Sequence, residues 1–498
     1  MTDWTSGYMA EVGYSFGYFP ELNPLRARAA LINLALAPPP AGPACELGFG
    51  QGVSINIHAA ASATPWRGDD FIPGQVAFAR ELAGASGADV QLTDEAFADF
   101  CARPDLPDFA FIALHGIWSW VSDANRAVII DFLRRKLLPG GVAYISHNVL
   151  PGQATMVSLR HLLNRHAAIM EPAGRPLIPR VGAALDFAER LLARNPGFTG
   201  AHPKIGARLK QLRGRDPNYL AHEYFNQAWR PMHFDETAAL LAEAKLGYGG
   251  PAHPLDQVDA LNLKPEQRAF LDDVPDPVFR ETVRDFMTYQ PFRRDYWIKG
   301  ARPLSKLEQA EAMRRTRFVL TTPADAVGLT ARGVLGDTRL RDDLYRPLLA
   351  VMADLRPRTV GEIETALKSG DAELDPLFKA LMILVGKDDL APAQDEAAAA
   401  EALPRTRKLN AHLTAMARSG GAVNVLASPL TGGGVTVDRT EQLFLLAAAE
   451  GRAAPADWAA FAGDFLGAAA SGTPADLTAR AQAFSDVRLP SLQALMIA

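Results

Sequence analysis

The stretch CELGFGQG, residues 45–52, places glycine at positions 48, 50 and 52 behind an acid at position 46. The apolar run ACELGF leads into it, and a helical pattern over residues 53–63 follows. Glycine allows a sharp backbone turn and keeps side chains out of a ligand's path. A helix that starts after such a turn directs its free N–H groups at whatever sits there. The pattern therefore predicts a strand, a tight turn and a helix N-terminus in close approach to a ligand.

Three ligand classes use this arrangement: dinucleotides, nucleotide phosphates and S-adenosylmethionine. The dinucleotide fingerprint needs G-x-G-x-x-G. Counted from Gly48 its third glycine falls on Val53, and counted from Gly50 on Ile55, so both fail. A phosphate loop needs Lys followed by Ser or Thr after the last glycine, whereas Val53 and Ser54 follow Gly52. No lysine or arginine lies between Cys45 and Ala61 to meet a polyphosphate. An acid suits a cationic ligand, and S-adenosylmethionine carries an ammonium and a sulfonium. Glu46 is expected to face that positive end, directly or through water. The alternative is a strand-end carboxylate bonded to nearby backbone.

Outward from the turn, short apolar runs alternate with helical patterns. WRGDDF, DVQLTD, DFAFIALH and VAYISHNV read as strands, with GQVAFARELAGASG and DANRAVIIDFLRRKLL as helices between them. Residues 23–37 read as an amphipathic helix with Asn23 as its cap and Pro24 in its first turn. This alternation predicts a parallel sheet with helices on both faces. The second strand brings Asp70 to its tip, where a carboxylate can accept two hydrogen bonds from a ribose diol. Asp69 is the competitor, and both acids can instead cap the helix near Pro73. At the third strand, Asp94 can accept from the adenine amine, with Glu95 and Ala96 beside it, or cap the next helix. His115, Trp118 and Trp120 stand after the fourth strand, where such sheets bind ligands.

Composition bounds the partners. Of 498 residues, 48% are hydrophobic and 21% charged, with a net charge of -5, which fits a globular protein of two or three domains. The charge gives no reason to expect nucleic acid or an acidic membrane surface. Two cysteines, Cys45 and Cys101, allow neither a disulfide framework nor a cysteine-rich metal site, and no metal is expected. No apolar run reaches the ~18 residues that span a bilayer, and the first residues lack a secretory pattern. The expectation is a soluble, cytoplasmic protein.

After Pro151 the pattern becomes helical to about residue 220. The sheet is expected to resume with HFDETAALLAEAKLGYGG as helix then strand, DPVFRETVRDFMTY as helix and FRRDYWIKG as strand. Residues 301–310 read as a boundary. The expected division is 1–305, with a helical insertion at about 155–225; a winged-helix-like unit over 306–393; and a helical region over 394–498.

ELGFGQG, GDDFIP, LTD, ALHGIWSWV and LLPGGVAYISHN together resemble the successive motifs of class I S-adenosylmethionine-dependent methyltransferases. GYSFGYFPELNPLR resembles an N-terminal substrate and cofactor lid. SHNVLPG, together with the segment YLAHEYFNQAWRPMHFDETAALLAEAKLGY through FLDDVPDPVFRETVRDFMTYQPFRRDYWIKG, resembles the arrangement of bacterial protein-lysine methyltransferases that modify outer-membrane proteins. The latter segment, about 215–300, is similar to a methyltransferase regulatory domain. The family carries SYN where this chain has Ser146, His147 and Asn148. The N-P-P-Y type motif of DNA and glutamine amino-methyltransferases is absent after the fourth strand.

The resemblance implies a Rossmann-like α/β sheet with S-adenosylmethionine held by Glu46, Gly48, Phe49, Gly50, Gly52, Asp70, Phe71, Asp94, Glu95 and His115. Tyr14, Tyr18, His115, Trp118 and His147 are candidates to line the methyl-transfer pocket, with core or lid packing open for each. A protein lysine is the expected acceptor, docked by the C-terminal region, with a homodimer as a further option. A small-molecule or glycan O-methyltransferase, for which His115 or His147 could serve as base, and a non-catalytic S-adenosylmethionine-binding regulator are the alternatives.

Overall fold

A computed structural model describes residues 16–172, 174–226, 228–367, 373–467 and 473–498. Tyr14 lies outside the described residues. At the N-terminal end, α1 (Pro24–Asn33) opens as the sequence predicts: the Leu25 N–H donates to Asn23 Oδ1 at 2.9 Å. It stops short of residue 37 because Ala35 takes a φ of 56° and Leu36 bridges to Pro303.

Strand and helix then alternate as β1 (Ala44–Leu47), α2 (Val53–Ala61), β2 (Trp66–Asp69), α3 (Pro73–Ser86), β3 (Val90–Thr93), α4 (Phe97–Ala102), β4 (Phe109–Leu114), α5 (Asp123–Lys136) and β5 (Leu137–Asn148). Five helices follow: α6 (Ala154–Ile169), α7 (Leu177–Leu192), α8 (Gly197–Ala201), α9 (Ile205–Arg213) and α10 (Pro217–Phe225). The chain returns to the sheet through α11 (Phe234–Ala242), β6 (Leu246–Pro251), α12 (Asp259–Asn262), α13 (Pro265–Asp272), α14 (Pro277–Thr288) and β7 (Phe292–Lys299).

The seven strands run in the order β3-β2-β1-β4-β5-β7-β6. The first five are mutually parallel, and β7 is antiparallel to both of its neighbours. This is the expected Rossmann-like α/β sheet, resumed after a helical insertion. Buried on both faces, β4 reads FAFIAL without a polar residue, as central parallel strands do. Helices α6 to α10 close around a core of their own that includes Leu159, Leu163, Leu185, Leu209 and Phe225.

Arg293 on β7 anchors the returning segment. Its guanidinium donates to Asp285, Glu281 and Asp295 at 2.7–2.8 Å and lies 4.3 Å from the Phe234 ring centre. The arginine and both aspartates are buried.

Beyond the sheet come α15 (Lys306–Arg315), β8 (Arg317–Leu320), a hairpin of β9 (Thr330–Gly333) and β10 (Gly336–Arg339), α16 (Asp342–Val351), β11 (Arg358–Thr359), α17 (Val360–Ala366), α18 (Leu374–Gly386) and β12 (Leu390–Pro392). Strands β11, β8 and β12 form a small antiparallel sheet against these helices. The long α19 (Glu396–Met416) leads to the hairpin of β13 (Val425–Ser428) and β14 (Gly433–Thr436), then α20 (Arg439–Ala449), α21 (Pro455–Phe465) and two closing helices.

Packing joins these parts. One apolar cluster runs from Leu31, Phe111 and Tyr144 to Phe318, Leu348 and Phe378. Another runs from Val53 and Ile57 of α2 to Leu409, Leu426, Phe444 and Trp458. The C-terminal region thus covers one apolar face of the helix that follows the glycine turn. No helix among the described residues is long and apolar enough to cross a membrane.

Candidate functional site

Strand order reverses between β1 and β4, the place where open α/β sheets bind ligands beyond the carboxyl ends of their strands. The glycine turn stands there. Gly48, Gly50 and Gly52 all take positive φ, at 69°, 58° and 68°. A Cβ on Gly48 would lie 2.3 Å from Ile117 Cδ1, and one on Gly52 would lie 2.5 Å from Ala79 Cβ. A side chain at either position is therefore opposed by both space and backbone.

The neighbouring strand laces the turn in place. The Gly48 and Phe49 N–H groups donate to the Asp69 carbonyl at 2.9 and 3.3 Å. Gly50 N–H donates to Asp70 Oδ2 at 2.8 Å, and Ile72 N–H to Asp70 Oδ1 at 3.0 Å. Asp70 thus ties the turn to the loop before α3, and each oxygen retains lone pairs for a further donor. Burial pushes its carboxyl up to about 6.

Two adjoining cavities meet at this turn and share Gly48, Asp70, Ile117 and Trp120. Glu46, Phe49, Gly50, His115 and Glu223 line the first. Phe71, Glu95, Ala96, Phe97 and Ser122 line the second. Glu46 is 3% exposed, and its Oε2 has no hydrogen-bond partner among the described residues. Burial, and then the nearby Asp70, raise its pKa well above the usual carboxylate range. Buried polar groups are almost always paired, so this carboxylate calls for a donor or cation supplied from the cavity. A ligand that places an ammonium there and a ribose at Asp70 fits the residues present.

His115 is stacked on Phe19, with ring centres 3.5 Å apart, and its Nδ1 lies 2.8 Å from the Tyr144 hydroxyl. Burial lowers its pKa to about 4, so the ring is neutral at physiological pH. The Gly116 N–H donates to Ser146 Oγ at 2.8 Å and fixes the start of the loop that carries Ile117 and Trp120.

Several predicted residues sit elsewhere. Gly52 does not line the cavities; it is the left-handed cap of α2, packed on Ala79. Asp94 neither lines the cavity nor caps α4, whose cap is Ala96; its carboxylate lies 3.5 Å from Arg80. Tyr18 turns away, and its hydroxyl accepts from the Gly434 N–H at 2.7 Å. Trp118 is fully buried in the core beside Phe109 and Ile129, and Trp120 is the tryptophan that lines the cavities. His147 is also fully buried. It pairs across the sheet with Arg293, on the face opposite Ser146, and neither ring nitrogen has a partner among the described residues. Burial, then Arg293, lower its pKa to about 3.

Sequence reading missed Gly17, Phe19, Gln75, His222, Glu223 and Asn226, which also line the first cavity, as do Gln51, Gly116 and Ile117. Gly17 and Phe19 belong to the segment expected to act as a lid. His222, Glu223 and Asn226 come from the end of the helical insertion, within the stretch YLAHEYFNQAW whose resemblance named no site residue.

Residues 216–299 match the family model described as a predicted methyltransferase regulatory domain. The Synechocystis sp. (strain ATCC 27184 / PCC 6803 / Kazusa) protein sll1526 is 36% identical over 449 residues, covering 89% of this chain and 88% of that one. The chain belongs to the family of that protein. A Rickettsia prowazekii (strain Madrid E) protein, RP789, is 27% identical over 199 residues. Among solved structures, PKMT2 from Rickettsia typhi in complex with AdoHcy superposes with a TM-score of 0.69 and 16% identity, covering 97% of this chain and 99% of that one. A second structure of that protein gives 0.68 and 17%, covering 97% and 100%. These two share the fold from end to end, including the C-terminal regions.

Proposed function

We propose that this chain is an S-adenosylmethionine-dependent methyltransferase acting on lysine side chains of proteins. The observation that carries the reading is the buried Glu46 carboxylate, whose Oε2 has no partner among the described residues, under a glycine turn tied to Asp70. Glu46 would hold the ammonium end of the donor, Asp70 its ribose, and Phe71, Glu95 and Ala96 its base. Bound there, S-adenosylmethionine would supply a methyl group already activated on a sulfonium. The fold shared with PKMT2, which was solved with AdoHcy, supports the same ligand class.

The protein's own part is to position the reactants and keep water out. Phe19, His115 and Trp120 form the apolar surround of the first cavity. His115 stays neutral and bonded to Tyr144, so it packs and orients without adding charge. A lysine must be neutral when it attacks, and a water-poor surround favours that form. In this reading the C-terminal region, over 306–393 and 394–498, docks the protein substrate in the cytoplasm, with a homodimer as a further option.

Incubation with donor labelled in the methyl group and a bacterial lysate tests the proposal. Label in protein, recovered as methyl-lysine after hydrolysis, is expected. Label confined to small molecules would point to the O-methyltransferase reading. Donor binding without any transfer would leave a regulatory binding protein.

A further inference from the structure

We infer that Glu223, delivered by the helical insertion, is the carboxylate that receives the acceptor's ammonium group and takes its proton. This rests on the methyltransferase reading. Three acids line the first cavity: Glu46, Asp70 and Glu223. The first two come from the sheet and are matched to the two ends of the donor. Glu223 is the third. It reaches the cavity from a separate element, as a group that serves the other reactant would.

Its helix is held firmly. Asp216 caps α10 by accepting from the N–H groups of Asn218 and Tyr219 at 2.7 and 3.1 Å. Arg160 of α6 donates to the backbone carbonyls of Glu223, at 3.4 Å, and Asn226. The same guanidinium lies 5.6 Å from the Trp120 ring centre and 4.9 Å from that of Trp229, so the insertion is clamped onto the loop after β4. Arg160 spends its hydrogen bonds on backbone, and no ion pair to the Glu223 carboxylate forms among the described residues.

The surroundings suit a proton acceptor. Burial raises the Glu223 carboxyl to about 7, against the pull of Arg160 and Arg208. Tyr219, His222 and Tyr224 flank it on its own helix, and Glu46, Asp70 and His115 line the cavity with it. An acid poised near neutrality is matched to proton transfer at physiological pH. One N–H proton of the acceptor ammonium passes to the carboxylate. The freed nitrogen lone pair forms the new N–CH3 bond as the donor's S–CH3 bond breaks. Positive charge thereby moves from sulfur to the methylated nitrogen, and Glu223 returns its proton to water.

The test compares wild type with Glu223→Gln and Glu223→Asp. AdoHcy affinity, read by calorimetry, is expected to stay within about twofold in each variant, showing that the fold and the donor site are intact. With labelled donor and a bacterial lysate, Glu223→Gln should transfer methyl about 100-fold more slowly than wild type at pH 7. Wild-type transfer should rise as pH climbs through about 7, and in the Gln variant the rise should move toward the lysine's own pKa near ~10. Glu223→Asp should keep part of the rate and the rise near neutrality. A lysine-containing tripeptide titrated at pH 7 into the AdoHcy complex should release protons from wild type and none from Glu223→Gln. Equal rates and pH profiles for wild type and Glu223→Gln would overturn the role of Glu223, as would label recovered as base-labile methyl ester. Should wild type bind AdoHcy but methylate nothing, the methyltransferase reading itself fails.

Discussion

Individual residues at this site are read best through what they lack. Asp70 bonds two backbone N–H groups, so Asp70→Ala should strand both and loosen the glycine turn. Donor affinity should fall by roughly 1–3 kcal/mol, as calorimetry with AdoHcy would show. Because the Asp70 carboxyl sits at about 6 and accepts hydrogen bonds as a carboxylate, wild-type donor affinity should also weaken as pH falls through that value. His147 is the opposite kind of residue. Folded, its pKa is near 3, while an unfolded histidine titrates near ~6.5. Between those values the unfolded chain binds more protons, so stability drops as pH falls. His147→Leu should remove a slope of up to about 1.4 kcal/mol per pH unit over that window, visible in denaturant titrations at pH 4 and 7. AdoHcy affinity at pH 7 should not change. The strand's two-residue period explains why His147 does not line these two cavities: it sends Tyr144 and Ser146 to one face and His147 to the other.

At the scale of elements, the glycine turn and the five parallel strands were legible because their signals are local. Three glycines behind an acid, and apolar runs cut by helical patterns, need no knowledge of distant residues. The tryptophans were not legible in the same way. Gly116 has a φ of 67° and Trp120 N–H closes a turn onto the Ile117 carbonyl, so strand parity no longer sorts Trp118 from Trp120. Glu223 and Asn226 were out of reach for another reason: their place depends on how the insertion folds back onto the loop after β4. The returning segment behaves as a unit around Arg293. Arg293→Met should remove the guanidinium that Asp285, Glu281 and Asp295 share, and two of these acids are deeply buried. Such breakage costs about 3–5 kcal/mol, and thermal unfolding should register it as a large fall in Tm.

Across the whole molecule, the C-terminal third is part of the sheet's own packing. Gln394 donates to the Ala61 and Pro429 carbonyls and Arg405 to the Ser62 carbonyl, while α19 packs on α2 and α3. Removal of residues 394–498 should bare the apolar face of α2 and yield a protein that aggregates. A soluble, AdoHcy-binding product in size-exclusion chromatography would count against this view. The composition foretold such a large buried interior but not its sharing, because alanine-rich helices carry no mark of the surface they will cover.

The bond from Gly434 to Tyr18 spans 416 positions of the chain, and it holds a segment whose neighbours Gly17 and Phe19 wall the first cavity. Synthesis at about 5–20 residues per second delivers the two partners roughly 20–80 seconds apart. The glycine turn is therefore made long before its wall is latched, and that latch waits until residue 434 has been made. Completion of this wall is thus a late event of synthesis, set by a residue far along the chain from the turn it serves.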